Sequence, residues 1–488
     1  MDSKQSYEKH TKYVNFYETL KGTDEEYWGI GIENETYLMF ENMITVPRKF
    51  IEKNQKPERY SVNYWRNYKG SELASTLKKL PDDIHVPVYI NSYLFRKADL
   101  LGEHATLYLK GTPPNRKYSD ESIDEYLRRV SPIFKQLFQN NMIYDGDTFE
   151  FTTFNFYKAT TIKVINELKF IKASFLNEMN KRLVSKFTMF KEPLIYPRFN
   201  YGFAKFASNP NNIAICNNGT YHINITLPTK LGPNGQIKNP DEFKAVHANA
   251  IRAIQWIEPL LIALYGSPDI LHMIDSKYPG GSQRLGFSRY IGLGTYDSDL
   301  MEKGKLLDTF NYKGTECYFN ELHADSPYNP PETIGYDFNY NKFTKHGIEL
   351  RIFDYFPEKY LEPIMNLLIL ICQHSILKTI PDPRTDSTWN HLCVKAIRKG
   401  SISKIKPAVR AKLFSIFDVK NYWFTTYWYP FNMSMLSITN IISKSLYTAY
   451  KDGSVCAKMS PSMNPVVLVD YNGEVKREFS KMVLPNHT

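Results

Sequence analysis

The sequence has few cysteines and no recognisable pattern among them. The five cysteines in 488 residues are scattered and odd in number, without CxxC spacing, which argues against a disulfide framework or a zinc knuckle. The first 22 residues are charged and lack the apolar stretch of a signal peptide. These features favour a reducing compartment, and we expect a cytoplasmic protein.

Long apolar stretches are also lacking. The longest, 364–380, is interrupted by Asn366, Gln373 and His374, and it falls short of the ~20 clean apolar residues that a membrane span needs. We therefore predict a buried helix at this position and no membrane partner.

Basic residues exceed acidic ones, but they are mostly dispersed. Lys and Arg number 61 against 51 Asp and Glu, a net charge of +10, which permits an anionic partner such as a nucleotide, nucleic acid or acidic substrate. No RNP, KH or zinc-finger signature is present, so nucleic acid is the less favoured partner. It remains a second hypothesis, with Trp423, Tyr427 and Trp428 as stacking residues. For the one basic block, 396–412, a solvated helix face is favoured over a docking surface for an acidic partner.

Strand-like and helical patterns alternate through the first three-quarters of the chain. Alternating polarity predicts strands within 27–40, 142–156 and 346–357, and a hairpin at 211–228 that turns at Asn218-Gly219. Helical spacing predicts helices over 119–140, 160–186 and 241–265, the first opened by a capping box from Ser119 to Ser122.

The chain divides into two predicted domains. The linker-like PDPRTD at 381–386 separates 1–383, which carries an irregular insertion at about 41–120, from a mostly helical region at 384–488.

The first predicted strand carries two carboxylates on one face. Glu33 and Glu35 stand at positions i and i+2, which point to the same side of a strand. Two such charges are unfavourable unless a cation lies between them, and carboxylate oxygens suit Mg²⁺ or Mn²⁺. An exposed strand face explains the pair equally well, so the pair alone is a weak signal.

Three further strands carry polar residues of the same kind. His222 and Asn224 share a face and could bind a metal, phosphate or ribose. Glu349 and Arg351 place a carboxylate beside a cation that grips phosphate with two donors, and Glu150 follows a turn that contains aspartates. A satisfied core histidine, a cross-strand ion pair and an Asx-turn are the ordinary alternatives.

The order of these motifs resembles that of the glutamate–cysteine ligases and related amidoligases, a carboxylate–amine ligase family of the glutamine synthetase-like superfamily. The resemblance spans about 27–380, and its joint order is more specific than any single motif. The motifs are GIENE (31–35), DGDTFEFTTFNF (145–156), NGTYHIN (218–224), SRYIGLGTYDSD (288–299) and GIELRIFD (347–354).

The resemblance implies an α+β fold in which a curved antiparallel sheet forms a funnel flanked by helices. ATP would enter at one end and the substrates at the other, with two or three Mg²⁺ ions between them and Mn²⁺ as an alternative. It also implies an enzyme in which a glutamate-like carboxylate attacks the γ-phosphate of ATP and an amine displaces the acyl phosphate, forming an amide. The acceptor could be cysteine, another amino acid, a polyamine or a protein side chain, and the oligomeric state is left open.

The resemblance assigns roles to individual residues. Arg351, Arg289 and Glu35 would carry catalysis, with Arg284 as the rival of Arg289 for the substrate carboxylate or phosphate, and a solvated loop charge is an equal alternative for both loop arginines. The implied metal ligands are Glu33, Glu35, Glu150, His222 and Glu349, and the implied ATP contacts are His222, Asn224, Arg351 and Arg284. A ligase fold kept only for binding or structure is a third hypothesis. The presence of six of these residues speaks against it: Glu33, Glu35, Glu150, His222, Glu349 and Arg351.

Overall fold

The computed structural model describes most of the chain in blocks. These are residues 24–41, 122–145, 148–156, 159–184, 192–200, 219–233, 237–276, 278–287, 347–419, 431–451 and 466–483, with short pieces at 22, 45–47, 79, 81, 85–87, 89–90, 92–95 and 459.

The described strands and helices are numbered in chain order. The strands are β1 (Tyr27–Thr36), β2 (Leu38–Phe40), β3 (Thr45–Pro47), β4 (His85–Pro87), β5 (Tyr89–Ile90), β6 (Met142–Asp145), β7 (Thr148–Thr152), β8 (Leu194–Ile195), β9 (Thr220–Thr229), β10 (Ile348–Leu350), β11 (Lys404–Ile405) and β12 (Met433–Ser434). The helices are α1 (Ile123–Val130), α2 (Pro132–Asn140), α3 (Thr161–Leu183), α4 (Pro240–Tyr265), α5 (Gln283–Phe287), α6 (Leu361–Leu377), α7 (Ser387–Lys399), α8 (Pro407–Ile416), α9 (Met435–Tyr450) and α10 (Tyr471–Val483). Short 3-10 turns occur at Ser92–Phe95, Ile270–Met273, Glu358–Tyr360, Pro383–Thr385 and Gly400–Ile402.

A five-stranded sheet in the order β10-β9-β1-β7-β6 is the largest sheet of the described part. Every neighbouring pair in it is antiparallel. Smaller sheets join β2 with β5 and β8, β3 with β4, and β11 with β12. Antiparallel sheets combined with helices confirm the predicted α+β class.

The two faces of the large sheet differ in polarity. Ile30 and Ile32 of β1 alternate with Gly31, Glu33 and Glu35 along the strand, and alternate residues point to opposite faces. The apolar face packs against helices, with α3 on β1 and β7, and α4 on β9. Hydrophobic burial on that side fixes the strand register, because a slip of one residue would turn the carboxylates into the core.

Most predicted elements of the first part are confirmed. The strands at 27–40 and 142–156 are β1 with β2 and β6 with β7, the later helices are α3 and α4, and β10 lies within 346–357. Helix α4 begins at Pro240 and ends before Gly266, as predicted. The first half of the predicted hairpin at 211–228, up to residue 218, lies outside the described residues.

The predicted helix over 119–140 is wrong in detail, because the segment forms two helices. Pro132 opens α2 and leaves Ser131 extended between them, since proline disfavours the helical conformation in the residue before it. The capping box lies at Ser122 and Glu125, three residues later than predicted. The Glu125 backbone N–H donates to the Ser122 hydroxyl, and Glu125 accepts from the Ser122 backbone N–H at 2.7 Å.

The apolar run is a buried helix, as predicted. Residues Glu358–Leu377 are long and apolar enough to cross a membrane by composition, but 72% of that window is buried inside the protein. Helix α6 packs against α3, α4 and α9. Its hydrophobicity is therefore accounted for by the core, and the location of the protein in the cell stays a prediction.

The described elements beyond residue 384 belong to the same hydrophobic core. Helices α7, α9 and α10 pack on α4, and one cluster of buried residues extends across 381–386. Asn472 of α10 places its amide nitrogen 2.9 to 3.1 Å from the carbonyl oxygens of Gly266, Gly280 and Gly281. The C-terminal part thus holds the loop that leads into α5. The predicted domain boundary at 381–386 stays a prediction.

Candidate functional site

Four neighbouring strands bring their polar residues to one face of the large sheet. Glu33 lies opposite His222 in β9 and Thr152 in β7, and Glu35 lies opposite Glu150. Opposed residues of an antiparallel pair point to the same face. The strand alternation predicted for Glu33 and Glu35 is therefore observed.

The edge of this face is formed by β9 and β10. Asn224 lies between Gly31 and Glu349 in the register of the two strand pairs. Arg351 follows β10, and its Nη1 donates to Glu349 Oε1 at 2.8 Å. The i and i+2 residues of this segment share a face as predicted.

Glu33, His222 and Glu349 form the first group of potential metal ligands. Each offers one atom within 4.8 Å of the atoms of the others, and all three residues are buried. His222 Nδ1 lies 3.3 Å from Glu33 Oε2 and 3.4 Å from Glu349 Oε1. This is a carboxylate pair with an imidazole between its members.

The neutral form of His222 is favoured. Burial, together with the positive charge of Arg351, holds its pKa well below the usual range, against the opposing effect of Glu33. Its Nε2 lies 3.3 Å from Nη2 of Arg284, and a guanidinium only donates. The contact with Arg284 favours the tautomer with its proton on Nδ1, facing the two carboxylates. The other tautomer, with Nε2–H directed to Glu35 Oε1 at 3.5 Å, leaves Nδ1 free to bind a cation.

Glu35, Asp145 and Glu150 form the second group, also with atoms within 4.8 Å of one another. Burial and repulsion from Asp145 raise the pKa of Glu35 to about 8, although Arg351 and Arg284 oppose the shift. Glu35 Oε1 lies 3.5 Å from His222 Nε2, so the two groups adjoin. At neutral pH Glu35 retains its proton, which a bound cation would displace.

Arg284 is completely buried beside His222. Its Nε donates to the carbonyl oxygen of Arg351 at 2.8 Å, and its Nη2 faces His222. Arg284 is thus part of the cluster, as the sequence suggested, but its guanidinium supports other site residues and is not a solvated loop charge.

Asp354 holds the backbone that carries Arg284. One carboxylate oxygen accepts from the Arg284 backbone N–H at 3.0 Å. The other accepts from the Ser282 hydroxyl and from the Ser267 backbone N–H. Burial raises the pKa of Asp354 to about 6, although the Ser282 hydrogen bond opposes the shift. Asp354 therefore positions Arg284 through a segment 70 residues away in the chain.

An aromatic ring lies over the start of β1 on the same face. A side chain added at Gly29 would meet the Phe156 ring at 2.4 Å, and one added at Gly31 would meet it at 3.1 Å. The two glycines make room for Phe156, which bounds the polar cluster on one side.

Sequence reasoning missed two participants and named four residues that cannot be placed. Asp145 was interpreted as an ordinary turn residue, yet it belongs to the second group, and Asp354 had no assigned role although it ends the GIELRIFD motif. Arg289 and the stacking residues within 421–430 lie outside the described residues.

The donor set fits a divalent cation. Five acidic side chains, those of Glu33, Glu35, Asp145, Glu150 and Glu349, meet only two guanidinium groups among the described residues, together with the imidazole of His222, and of the five Glu35 holds its proton at neutral pH. Oxygen ligands of this kind suit Mg²⁺ or Mn²⁺, and unbalanced buried negative charge is costly without a counter-ion.

These features define an α+β protein that gathers buried carboxylates, a histidine and arginines on one face of an antiparallel sheet. The chain belongs to the family of uncharacterized protein R704 of Acanthamoeba polyphaga mimivirus. The two are 39% identical over 460 residues, which covers 91% of this chain and 79% of the viral protein. No family model matches the sequence. The part of this chain outside the matched 91% is shorter than the insertion at 41–120 and shorter than the region 384–488. The viral protein therefore matches at least part of each region.

Replacing Asp354 with Asn tests its positioning role. The amide NH₂ of the introduced asparagine would face one of the donors that Asp354 now accepts from. We therefore expect the free energy of unfolding to fall by about 2 kcal/mol. We also expect the His222 ring nitrogens to change protonation as Arg284 moves. Urea unfolding and nitrogen NMR shifts of His222 measure the two effects. Ser282→Ala, which removes one hydroxyl partner, should cost less and leave His222 unchanged; an unaltered His222 signal in Asp354→Asn would contradict the role.

Glu35 predicts a specific pH dependence of stability in the presence of EDTA. The pKa of Glu35 is about 8 in the folded state, whereas the ordinary value of a glutamate is 4.5. Between these two values the folded state holds a proton that the unfolded state has lost. The free energy of unfolding therefore falls as pH rises through this window, and the loss is complete above it.

Glu35→Gln removes this loss. Its stability relative to the native protein should rise between pH 5 and pH 9 by roughly 2 to 5 kcal/mol, at about 1.4 kcal/mol per pKa unit. Urea unfolding at several pH values measures the difference. Glu26→Gln, an exposed change just before β1, is the control, and a flat difference for Glu35→Gln would refute the assignment.

Proposed function

We propose that the protein is an ATP- and Mg²⁺-dependent carboxylate–amine ligase that forms an amide through an acyl phosphate, most like glutamate–cysteine ligase. The observation that carries the proposal is the meeting of carboxylates from β1, β6, β7 and β10 with His222 of β9 and two arginines on one sheet face. These residues lie far apart in the sequence. Joint binding of metal ions and phosphate would account for their meeting on one face of the sheet.

The two carboxylate groups are the proposed cation sites. Glu33, Glu349 and His222 would hold one ion, and Glu35, Asp145 and Glu150 would hold the other. When bound, Mg²⁺ neutralises the triphosphate and polarises the transferring phosphoryl group. The remaining chemistry falls to the side chains of the chain itself.

Arg351 is the proposed phosphate-binding cation. Its side chain is 14% exposed, whereas the carboxylates beside it are almost fully buried. It contacts Glu349 through Nη1, and its Nη2 lies 3.9 Å from Glu35 Oε1. A guanidinium at the boundary of a buried acidic cluster can stabilise phosphoryl oxygens with two donors while the carboxylates keep it oriented.

Arg284 and His222 have a supporting role in this proposal. Arg284 is fixed by Asp354 and by the carbonyl oxygen of Arg351, so it keeps the Arg351 backbone and the His222 ring in place. Asn224, at the edge beside Glu349, is available for the nucleotide. The substrate carboxylate would be held by Arg289.

The glutamine synthetase-like funnel is part of the same proposal. A sheet with one face against helices and the other lined by polar residues is the architecture that such a funnel requires. The acceptor amine is a small molecule in the main form of the proposal, and a peptide or protein amine is its alternative.

The direct test is phosphate release from ATP by purified protein with Mg²⁺, glutamate and a panel of amines that includes cysteine. Glu35→Gln should abolish turnover, because a neutral amide oxygen binds a divalent cation more weakly than a carboxylate does. Arg351→Lys should lower kcat more than nucleotide affinity, by roughly tenfold to a hundredfold, because lysine cannot supply the bidentate fork.

The controls separate chemistry from folding. Glu26→Gln should retain full turnover. Both site variants should still unfold in one cooperative thermal transition, with Glu35→Gln differing from the native protein only by the pH-dependent stability given above. Absence of phosphate release across the panel would contradict the ligase proposal, and a collapsed melt of Glu35→Gln would mean that Glu35 is a structural core residue.

A further inference from the structure

A pocket of about 330 Å³ lies between the first turns of α7, strand β11 and the start of α8. None of these elements contributes to the five-stranded sheet. Four of its nine lining residues belong to the basic block 396–412, which the proposed ligase chemistry leaves without a role, and the other five precede that block in α7.

In the described part of the chain, the lining of this pocket carries basic groups and no carboxylate. Lys395, Lys404, Lys406 and His391 are all among the lining residues. The ammonium of Lys395 donates to the carbonyl oxygen of Lys404 at 2.7 Å, which ties α7 to β11. Among the described residues, no acidic side chain forms an ion pair with Lys404 or Lys406.

The carboxylate at the start of α7 is already engaged. Asp386 accepts from the backbone N–H groups of Thr388 and Trp389 at 2.8 and 3.2 Å, and its other oxygen pairs with Lys412. It therefore caps α7 and neutralises a lysine that is not part of the lining.

The lining groups repel one another. Burial and the charges of Lys399 and Lys406 lower the pKa of Lys395. Burial and the charges of Lys395 and Lys406 lower the pKa of His391. An anion in the pocket would relieve this repulsion.

The pocket also has an apolar part. Leu392 and Ile405 are buried lining residues, and Val409 is half-buried. A volume of this size is at the lower end of the range for small-molecule pockets. Ammonium groups around an apolar floor suit a compact anion attached to an apolar body.

We propose that this pocket is a binding site for a small organic phosphate, with the three lysines holding the phosphate and the aliphatic side chains contacting the organic part. The site is independent of the proposed active site, since its residues and elements are different.

Adenosine monophosphate is a suitable probe, used with the full-length protein in EDTA. Calorimetric titration should give saturable binding with one site. Lys404→Gln combined with Lys406→Gln should weaken it at least about tenfold, because each lysine supplies a charged contact. Bound probe should also protect Lys395, Lys404 and Lys406 from acetylation, as read by mass spectrometry.

The matched control is Lys169→Gln combined with Lys444→Gln. Both lysines are exposed on helices outside the pocket, and the pair removes the same charge. The control should change affinity by less than about twofold, since surface charge alone contributes little.

Several outcomes would overturn the proposal. These are no saturable binding, equal weakening by both double variants, or binding that survives the pocket changes but is lost in Arg351→Lys. Protection of the three lysines by an acidic peptide but not by the nucleotide would reject a small ligand and assign the pocket to a peptide. Because the acetylation pattern is read on the native protein, a folding defect in a variant cannot hide the result.

Discussion

Mutual repulsion among buried carboxylates is the constraint on which the rest of the structure depends. Glu33, Glu35, Glu150 and Glu349 are almost fully shielded from water, and an uncompensated buried charge costs several kcal/mol. Two features of the structure lower that free-energy cost. Glu35 keeps its proton to a pKa of about 8, and Arg351 and Arg284 supply positive charge beside the cluster. A bound cation would be the third.

Successive contacts in the surrounding fold hold the carboxylates, His222 and Arg284 in place. Burial of the apolar sheet face against α3 and α4 fixes the register that opposes Glu33 to His222 and Glu35 to Glu150. Asp354 then fixes the segment that carries Arg284. Asn472, from the far end of the chain, binds the carbonyl oxygens of Gly280 and Gly281 just before it. The C-terminal helices thus contribute to the site without lining it.

Local patterns predicted the strands and their faces, because alternation is a property of the strand itself. The i and i+2 spacing placed Glu33 with Glu35 and Glu349 with Arg351 correctly. The partners of each strand could not follow from periodicity, and only the motif order suggested that these strands meet. Asp145 was missed because a turn aspartate looks the same whether it caps a turn or faces a carboxylate cluster. The role of Asp354 depends on a buried contact between segments 70 residues apart, which leaves no local signal. Block 396–412 is only partly a solvated face. Lys404 and Lys406 are exposed to solvent, but Arg410 is buried.

The central claim is that this sheet face is a divalent-cation site, and anomalous scattering from crystals grown with Mn²⁺ and a non-hydrolysable ATP analogue tests it most directly. The account predicts anomalous peaks within bonding distance of the Glu33, Glu349 and His222 group and of the Glu35, Asp145 and Glu150 group, with the nucleotide phosphates beside Arg351. Crystals with ordered nucleotide elsewhere, or with the carboxylates in place and no peak between them, would contradict it.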